Sequence, residues 1–151
     1  MRISEIRDGD TSQRAGIVIT TGNLILCGQP MNMKRNGWKL DIFKGHIQKG
    51  ETPLEAAIRE CWEESNIRFE PWKLTNPIVV SCDGNPLYLF LAKIDYISPG
   101  ILSCVSTFVD DFDGIRKPEI EKFLWVDPRT QLHLIQDRLH AGIKYYFPKV
   151  F

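Results

Sequence analysis

The sequence predicts an α/β protein built on a mixed sheet covered by helices. Three observations predict it: β-prone runs recur along the chain, turn-forming residues separate several of them, and helical patterns stand at two well-separated positions. AGIVIT (15–20) and LILCG (24–28) are short strands joined by Thr21-Gly22-Asn23, a hairpin signal. The loop QPMNMKRNG (29–37) leads into WKLDI (38–42), where Trp38, Leu40 and Ile42 alternate with polar residues as on a strand with one buried face. A helix follows over the run after Glu51. IVVSC (78–82) and LYLFLAKID (87–95) flank the turn Asp83-Gly84-Asn85-Pro86, and SCVSTFV (103–109) and KFLWV (122–126) add strands. A final helix is capped by Asp127, takes Pro128 at its first position, and carries Leu132, Ile135, Leu139 and Ile143 at helical spacing.

Composition bounds the function. The 151 residues are expected to form a single domain, 1–151, large enough to bury a core. Nineteen basic residues balance nineteen acidic ones, so no overall field draws the chain to DNA or to an anionic membrane, and an anionic ligand has to be captured locally. No long apolar span and no leader-like N-terminal segment is visible, which makes a cytoplasmic site the expectation. Cys27, Cys61, Cys82 and Cys104 are widely spaced without a CxxC pair, which favours free thiols over disulfides or zinc. Homodimers are the commonest oligomers, but no apolar stripe singles one out.

The run GHIQKGETPLEAAIRECWEESNI (45–67) carries the chemistry. Thr52-Pro53-Leu54-Glu55 reads as a capping box that starts a helix. Leu54, Ala57, Ile58 and Cys61 form one apolar stripe, and Asn66 suits the left-handed residue that ends the helix. Glu60, Glu63 and Glu64 stand at i, i+3 and i+4, which gathers their side chains on the face away from that stripe. Like charges so placed raise one another's pKa unless a cation neutralises them. Magnesium suits the all-oxygen donor set, with manganese as its substitute; zinc, which prefers Cys and His, suits it poorly. Arg59 has a planar fork able to clamp Glu51 in the preceding loop, and Gly45 leaves room for backbone to approach a metal or phosphate.

The order of Gly45, Glu51, Arg59-Glu60, Glu63-Glu64 and Ile67 resembles the signature box of the Nudix hydrolase family. Cys61 stands where that pattern has an aliphatic residue, and Asn66 where it has Gly. AGIVIT before the box, and Pro118-Glu119-Ile120 with Phe123-Leu124-Trp125-Val126 after it, are similar to strands that flank the box in the family. The resemblance implies an α/β/α sandwich with helices on both faces of a mixed sheet. It also implies a divalent metal and hydrolysis of a nucleoside diphosphate linked to another group. By position it makes Glu60 and Glu64 the principal metal-binding or base-bearing carboxylates, Glu63 a further ligand, and the Gly45 carbonyl an added donor. It also implies one acidic residue from outside the box: Glu119 is the first candidate and Glu121 the second, each with a surface salt bridge as its ordinary reading.

The substrate is less legible. DIFKGHIQKGE (41–51) is similar to the Lys-Gly-His loop of diadenosine polyphosphate hydrolases, with Phe43 in place of their Pro. The expected substrates are therefore dinucleoside polyphosphates, ADP-ribose or related nucleotide conjugates. Lys34, Arg35, Lys39 and Lys44 precede the box and could grip polyphosphate or RNA phosphates, which keeps hydrolysis at an RNA 5′ end as the alternative. A non-catalytic nucleotide-binding module is the reading from another class, and the intact Glu60, Glu63 and Glu64 speak against it. Trp38, Trp72, Tyr88 and Phe108 could stack a base, although aromatic residues in strands are more often core. His46 reads as a loop residue or a phosphate contact, His133 and His140 as helix-surface residues, and Asp110, Asp111 and Asp113 as an acidic turn.

Overall fold

The structure, a computed structural model, describes residues 12–148. The N-terminal stretch on which the expectation of no leader rests lies outside them. Two runs of β-branched and aliphatic residues form the hairpin β1 (Arg14–Thr21) and β2 (Leu24–Pro30), closed at Gly22, whose φ of 56° suits a residue without a side chain. β3 (Phe43–His46) pairs antiparallel with the first half of β1, while β2 diverges from β1 after the turn to pair with β8 (Ile120–Val126). On its other edge β1 runs parallel to β5 (Asn85–Lys93), which pairs antiparallel with β4 (Ile78–Cys82). The sheet is therefore mixed, with β1 at its centre. β6 (Thr107–Val109) and β7 (Arg116–Pro118) form a separate small hairpin.

Alternation along β1 assigns its two faces. Ile17 and Ile19 join a core with Phe43, Ala57, Cys61 and Phe90 beneath helix α1 (Pro53–Ser65). Val18 points the other way, into a second core with Leu89, Ile135, Leu139 and Ile143. That second face is covered by α2 (Pro128–Gln131), two 3₁₀ turns and α3 (His140–Tyr146), so helices lie on both sides, as expected of the sandwich.

Three expected elements are altered. The final helix is broken into pieces because Ile135 is extended: the Leu40 N–H donates to Leu134 O at 2.7 Å and the Gln136 N–H to Leu40 O at 3.0 Å. Ile135, Leu139 and Ile143 are still buried, which is why the helical period was present without a continuous helix. WKLDI is not a strand. Gly37 and Trp38 are both left-handed, Trp38 is 70% exposed, and Leu40 and Asp41 make single bridges to Ile135 and Gly28 respectively. SCVSTFV is a strand only over 107–109; its first part crosses the end of α1 instead.

The junction of β1 with β3 leaves no room at Gly16. A Cβ there would lie 2.5 Å from Lys44 Cβ and 2.8 Å from the Phe43 carbonyl oxygen. Backbone cannot yield as a side-chain tip can, so Gly16→Ala is expected to destabilise by about 1–3 kcal/mol. A urea titration should show a lower midpoint with an unchanged slope, and an unmoved midpoint would refute the close contact.

Candidate active site

The site is assembled by the C-terminal half of α1, the loop before the helix, β3 and the residue that precedes β8. The capping box is formed: the Glu55 N–H donates to the Thr52 hydroxyl and the Thr52 N–H to the Glu55 carboxylate, each at 3.1 Å. Pro53 occupies the first turn and Asn66, at φ 66°, ends the helix. With both ends fixed, the rotation of α1 is set, and so is the direction of each glutamate.

Arg59 is the hub. Its Nε and Nη2 donate to the two oxygens of Glu51 at 2.7 and 3.0 Å, and Nη1 reaches Glu60 at 2.8 Å and Glu63 at 3.2 Å. Nη2 also donates to the His46 carbonyl at 3.0 Å, so the role of His46 here belongs to its backbone. Glu51 accepts from the Gln48 N–H as well. Burial raises the Glu51 carboxyl, but the hydrogen bonds from Arg59 and Gln48 and the Arg59 charge outweigh it and hold it below the ordinary value. Arg59 is pushed above its ordinary value, chiefly by its bond to Glu51.

Glu60 folds over Gly45. A Cβ at Gly45 would lie 2.2 Å from the Glu60 carboxyl carbon, so the glycine, which sits in β3 and not in a loop, is the seat of that carboxylate. Glu64 departs most from expectation. It is 7% exposed and lies on the buried side of α1 with Ala57 and Cys61, while Leu54 and Ile58 of the expected stripe are only half-buried. Its Oε1 accepts from the Lys44 N–H at 2.9 Å. Burial raises Glu64 well above the ordinary carboxylate value, and the charges of Asp41, Glu60 and Glu119 add to this against Lys44. Glu60 is also raised, first by burial, with Glu63 and Glu119 adding and Arg59 opposing.

Glu119, between β7 and β8, stands at the open edge of the same patch, raised by partial burial and by the charge of Glu63. Glu121 lies apart on the surface, accepting from Gln29 at 3.2 Å. Asp41 was not singled out by the sequence. It pairs with Lys44 at 3.1 Å and borders Glu64; only the Lys44–Glu64 backbone contact, invisible in the sequence, reveals its place. Asp110 and Asp113 are both tied to Lys117, as an acidic turn would be.

A cleft of roughly 300 Å³ opens from Glu64 and Glu119. Asn32, Arg35, Asn36, Asp41, Phe108 and Ile120 line it as well. Of the other aromatic candidates, Trp38 and Trp72 are exposed and Tyr88 is core. Among the described residues no three His, Cys, Asp or Glu side chains stand together as a metal-ligand group, and Arg59 holds Glu60 and Glu63. The donor chemistry nevertheless fits a hard divalent cation. The carboxylates of Glu60, Glu64 and Glu119 are near enough for their charges to raise one another, Glu64 is buried, and the glycine cradle under Glu60 admits nothing larger.

The chain belongs to the Nudix hydrolase family, enzymes of the pyrophosphate bond that generally use a divalent metal: the family model described as the NUDIX domain matches residues 10–147. It is 39% identical over 54 residues to an RNA pyrophosphohydrolase of Cereibacter sphaeroides and 38% identical over 55 residues to one of Brucella anthropi. These matches cover 36% of this chain and only 32% and 30% of those relatives' lengths. A C. elegans Ap4A hydrolase shares the fold with a TM-score of 0.64 at 19% identity, covering 91% of this chain and 96% of that one. The E. coli dihydroneopterin triphosphate pyrophosphohydrolase does so with a TM-score of 0.66 at 15% identity, over 91% and 96%. No helix among the described residues is long and apolar enough to cross a membrane.

Two outcomes follow from this geometry. In Gly45→Ala the added methyl meets the tip of a flexible side chain, so Glu60 moves and the backbone stays. Stability by urea titration is expected to change by less than about 1 kcal/mol while kcat falls at least about tenfold. A large stability loss would show that Gly45 is needed for packing instead.

The second concerns Glu64 without metal. Its raised carboxyl keeps a proton in the native state at pH values where the unfolded chain has released it, so native stability falls as pH rises above about 4.5, the ordinary glutamate value. Glu64→Gln, which keeps an acceptor for the Lys44 N–H, should therefore raise the melting temperature of metal-free protein at pH 8, with the gain shrinking toward pH 4. A gain independent of pH would contradict the assigned burial of charge.

Proposed function

We propose that the chain is a single-domain, magnesium-dependent pyrophosphohydrolase that cleaves nucleoside diphosphates linked to another moiety, with dinucleoside polyphosphates, ADP-ribose or related nucleotide conjugates as substrates. The observation that carries this reading is that Glu64 and Glu119 line one cleft and that Glu60, held by Arg59, is near enough for its charge to raise Glu64, all three carboxyls lying above their ordinary value. Glu60, Glu63 and Glu64, with the Gly45 carbonyl, are the groups that would hold the ion. When bound, a divalent ion supplies charge stabilisation at a phosphoryl oxygen and activation of water. Manganese is an expected substitute.

The remaining roles fall to the protein. Arg59 and Glu51 orient the helix face against the preceding loop, a positioning role that keeps both of them charged. Glu119, outside the helix and raised above its ordinary value, is suited to take up a proton released by an attacking water. Arg35 on the wall of the cleft can meet a phosphate, and Phe108, which lines the same cleft, offers an aromatic surface to a base. The four free thiols support a reducing, cytoplasmic setting for such an enzyme.

A second reading, removal of pyrophosphate from RNA 5′ ends, is favoured by the names of the relatives that share the 54-residue stretch. The neutral overall charge and the small cleft support the first. A panel of nucleotide conjugates and 5′-triphosphorylated RNAs, assayed with magnesium and with chelator, separates the two. Turnover of free conjugates in preference to RNA is expected, and the reverse order would establish the second reading. Glu64→Gln should lower kcat by roughly 10²–10⁴-fold. Absence of turnover on every substrate would leave a non-catalytic nucleotide-binding module.

A further inference from the structure

We infer that Gln136 is a positioning residue that holds the cleft loop so that Arg35 is presented to substrate. The inference rests on the proposed contact between Arg35 and a substrate phosphate. Loop 31–40 supplies Asn32, Arg35 and Asn36 to the cleft and is strung between two fixed points. At its start the Met31 N–H donates to the Glu119 carbonyl at 2.9 Å; at its end Leu40 exchanges backbone hydrogen bonds with Leu134 and Gln136, on either side of the fully buried Ile135. Between these ends three side chains bond to backbone in relay. Gln136 Nε2 donates to the Asn36 carbonyl at 2.7 Å, Asn36 Nδ2 donates to the Asn32 carbonyl at 2.8 Å, and Asn32 Oδ1 accepts from the Arg35 N–H at 3.1 Å.

Of the three relay residues only Gln136 comes from outside the loop, 100 residues along the chain from Asn36, and its own backbone is fastened independently through Leu40. The carbonyl it holds leads into Gly37 and Trp38, both left-handed at φ 64° and 62°, a conformation that costs a tryptophan free energy and persists only where its surroundings fix it. The other cations near the loop are turned to different partners. Lys39 donates to the His133 carbonyl and Lys44 pairs with Asp41 at 3.1 Å, whereas Arg35 lines the cleft. A loop that its ligand must first order binds more weakly by the cost of that ordering, and one already held in place does not. The Gln136 amide supplies that hold at the point farthest from the loop's two backbone anchors that any outside side chain is seen to reach.

The test combines kcat and KM for diadenosine tetraphosphate and ADP-ribose in magnesium with the rate at which trypsin cuts the native chain after Lys34 and Arg35. Gln136→Met matches the side chain in length and loses the donor. It is expected to raise KM roughly tenfold with kcat within about twofold, the pattern of binding lost equally from ground and transition states. Cleavage at the loop should quicken at least about threefold. Gln136→Ala should act in the same way, and the methionine variant carries the comparison where alanine folds poorly. Arg35→Ala should raise KM by a similar factor, and adding Gln136→Met to it should raise KM no further. If neither substrate is turned over, affinity for magnesium pyrophosphate by calorimetry takes the place of KM, which separates failure of the enzymatic reading from failure of this one. Unchanged KM or unchanged cleavage in Gln136→Met, when Arg35→Ala raises KM, overturns the inference and leaves the proposed function standing, as does a further rise in the double variant. Unchanged KM in Arg35→Ala removes the phosphate contact, and the role of Gln136 with it.

Discussion

Everything around the site depends on the charge balance at Arg59. One guanidinium meets Glu51 in the loop, Glu60 and Glu63 on the helix, and the His46 carbonyl at the end of β3. An isolated surface pair would contribute little, because ordering two long side chains offsets a screened attraction. Here the fork is bidentate toward Glu51, partly buried, and shared among partners that are already held by a capped helix and a strand, so little further order has to be imposed. The result is a link between loop, strand and helix made by the protein's own groups.

That link leaves a deliberate imbalance. Arg59 has a firm hold on Glu51, which stays below its ordinary value, while Glu60 is raised despite its bond to the same arginine. Glu64 has only Lys44 opposing burial and three acidic neighbours. The unfavourable charge is thus concentrated where the cleft opens, and the favourable charge where the loop is fastened. A divalent ion would relieve the first without disturbing the second, and this gives binding free energy to a site whose framework already stands.

Much of this was legible because its physics is local. A capping box, a left-handed end residue and charges at i, i+3 and i+4 are set by sequence spacing alone, and Thr52, Glu55, Asn66 and the Arg59–Glu51 pairing all appear where spacing puts them. Glu64 was placed on the wrong side because helical spacing gives neighbours but not the direction of the core; the Lys44 N–H, twenty residues earlier, decides it. The break at Ile135 was hidden for a similar reason. Its bridge to Leu40 is a long-range pairing, and the buried pattern of Ile135, Leu139 and Ile143 satisfies a helical period whether or not the backbone is continuous. Asp41 and Gln136 act through contacts that no periodicity encodes.

The same division separates the bond to be cut from the molecule that carries it. The carboxylates on α1 and the glycine under Glu60 are bound to one another by close contacts, so changing one disturbs the others. The cleft wall is made differently. Asn32, Arg35 and Asn36 come from a loop held by its own turns and by the Gln136 side chain on the Asn36 carbonyl at 2.7 Å, and Phe108 comes from a hairpin whose β6 strand pairs with β7 and not with the main sheet. Loop side chains of this kind can be exchanged without disturbing the contacts that join Arg59 to Glu51, Glu60 and Glu63. The cleft wall is thus built from residues that the core does not constrain, beside a helix face that it does.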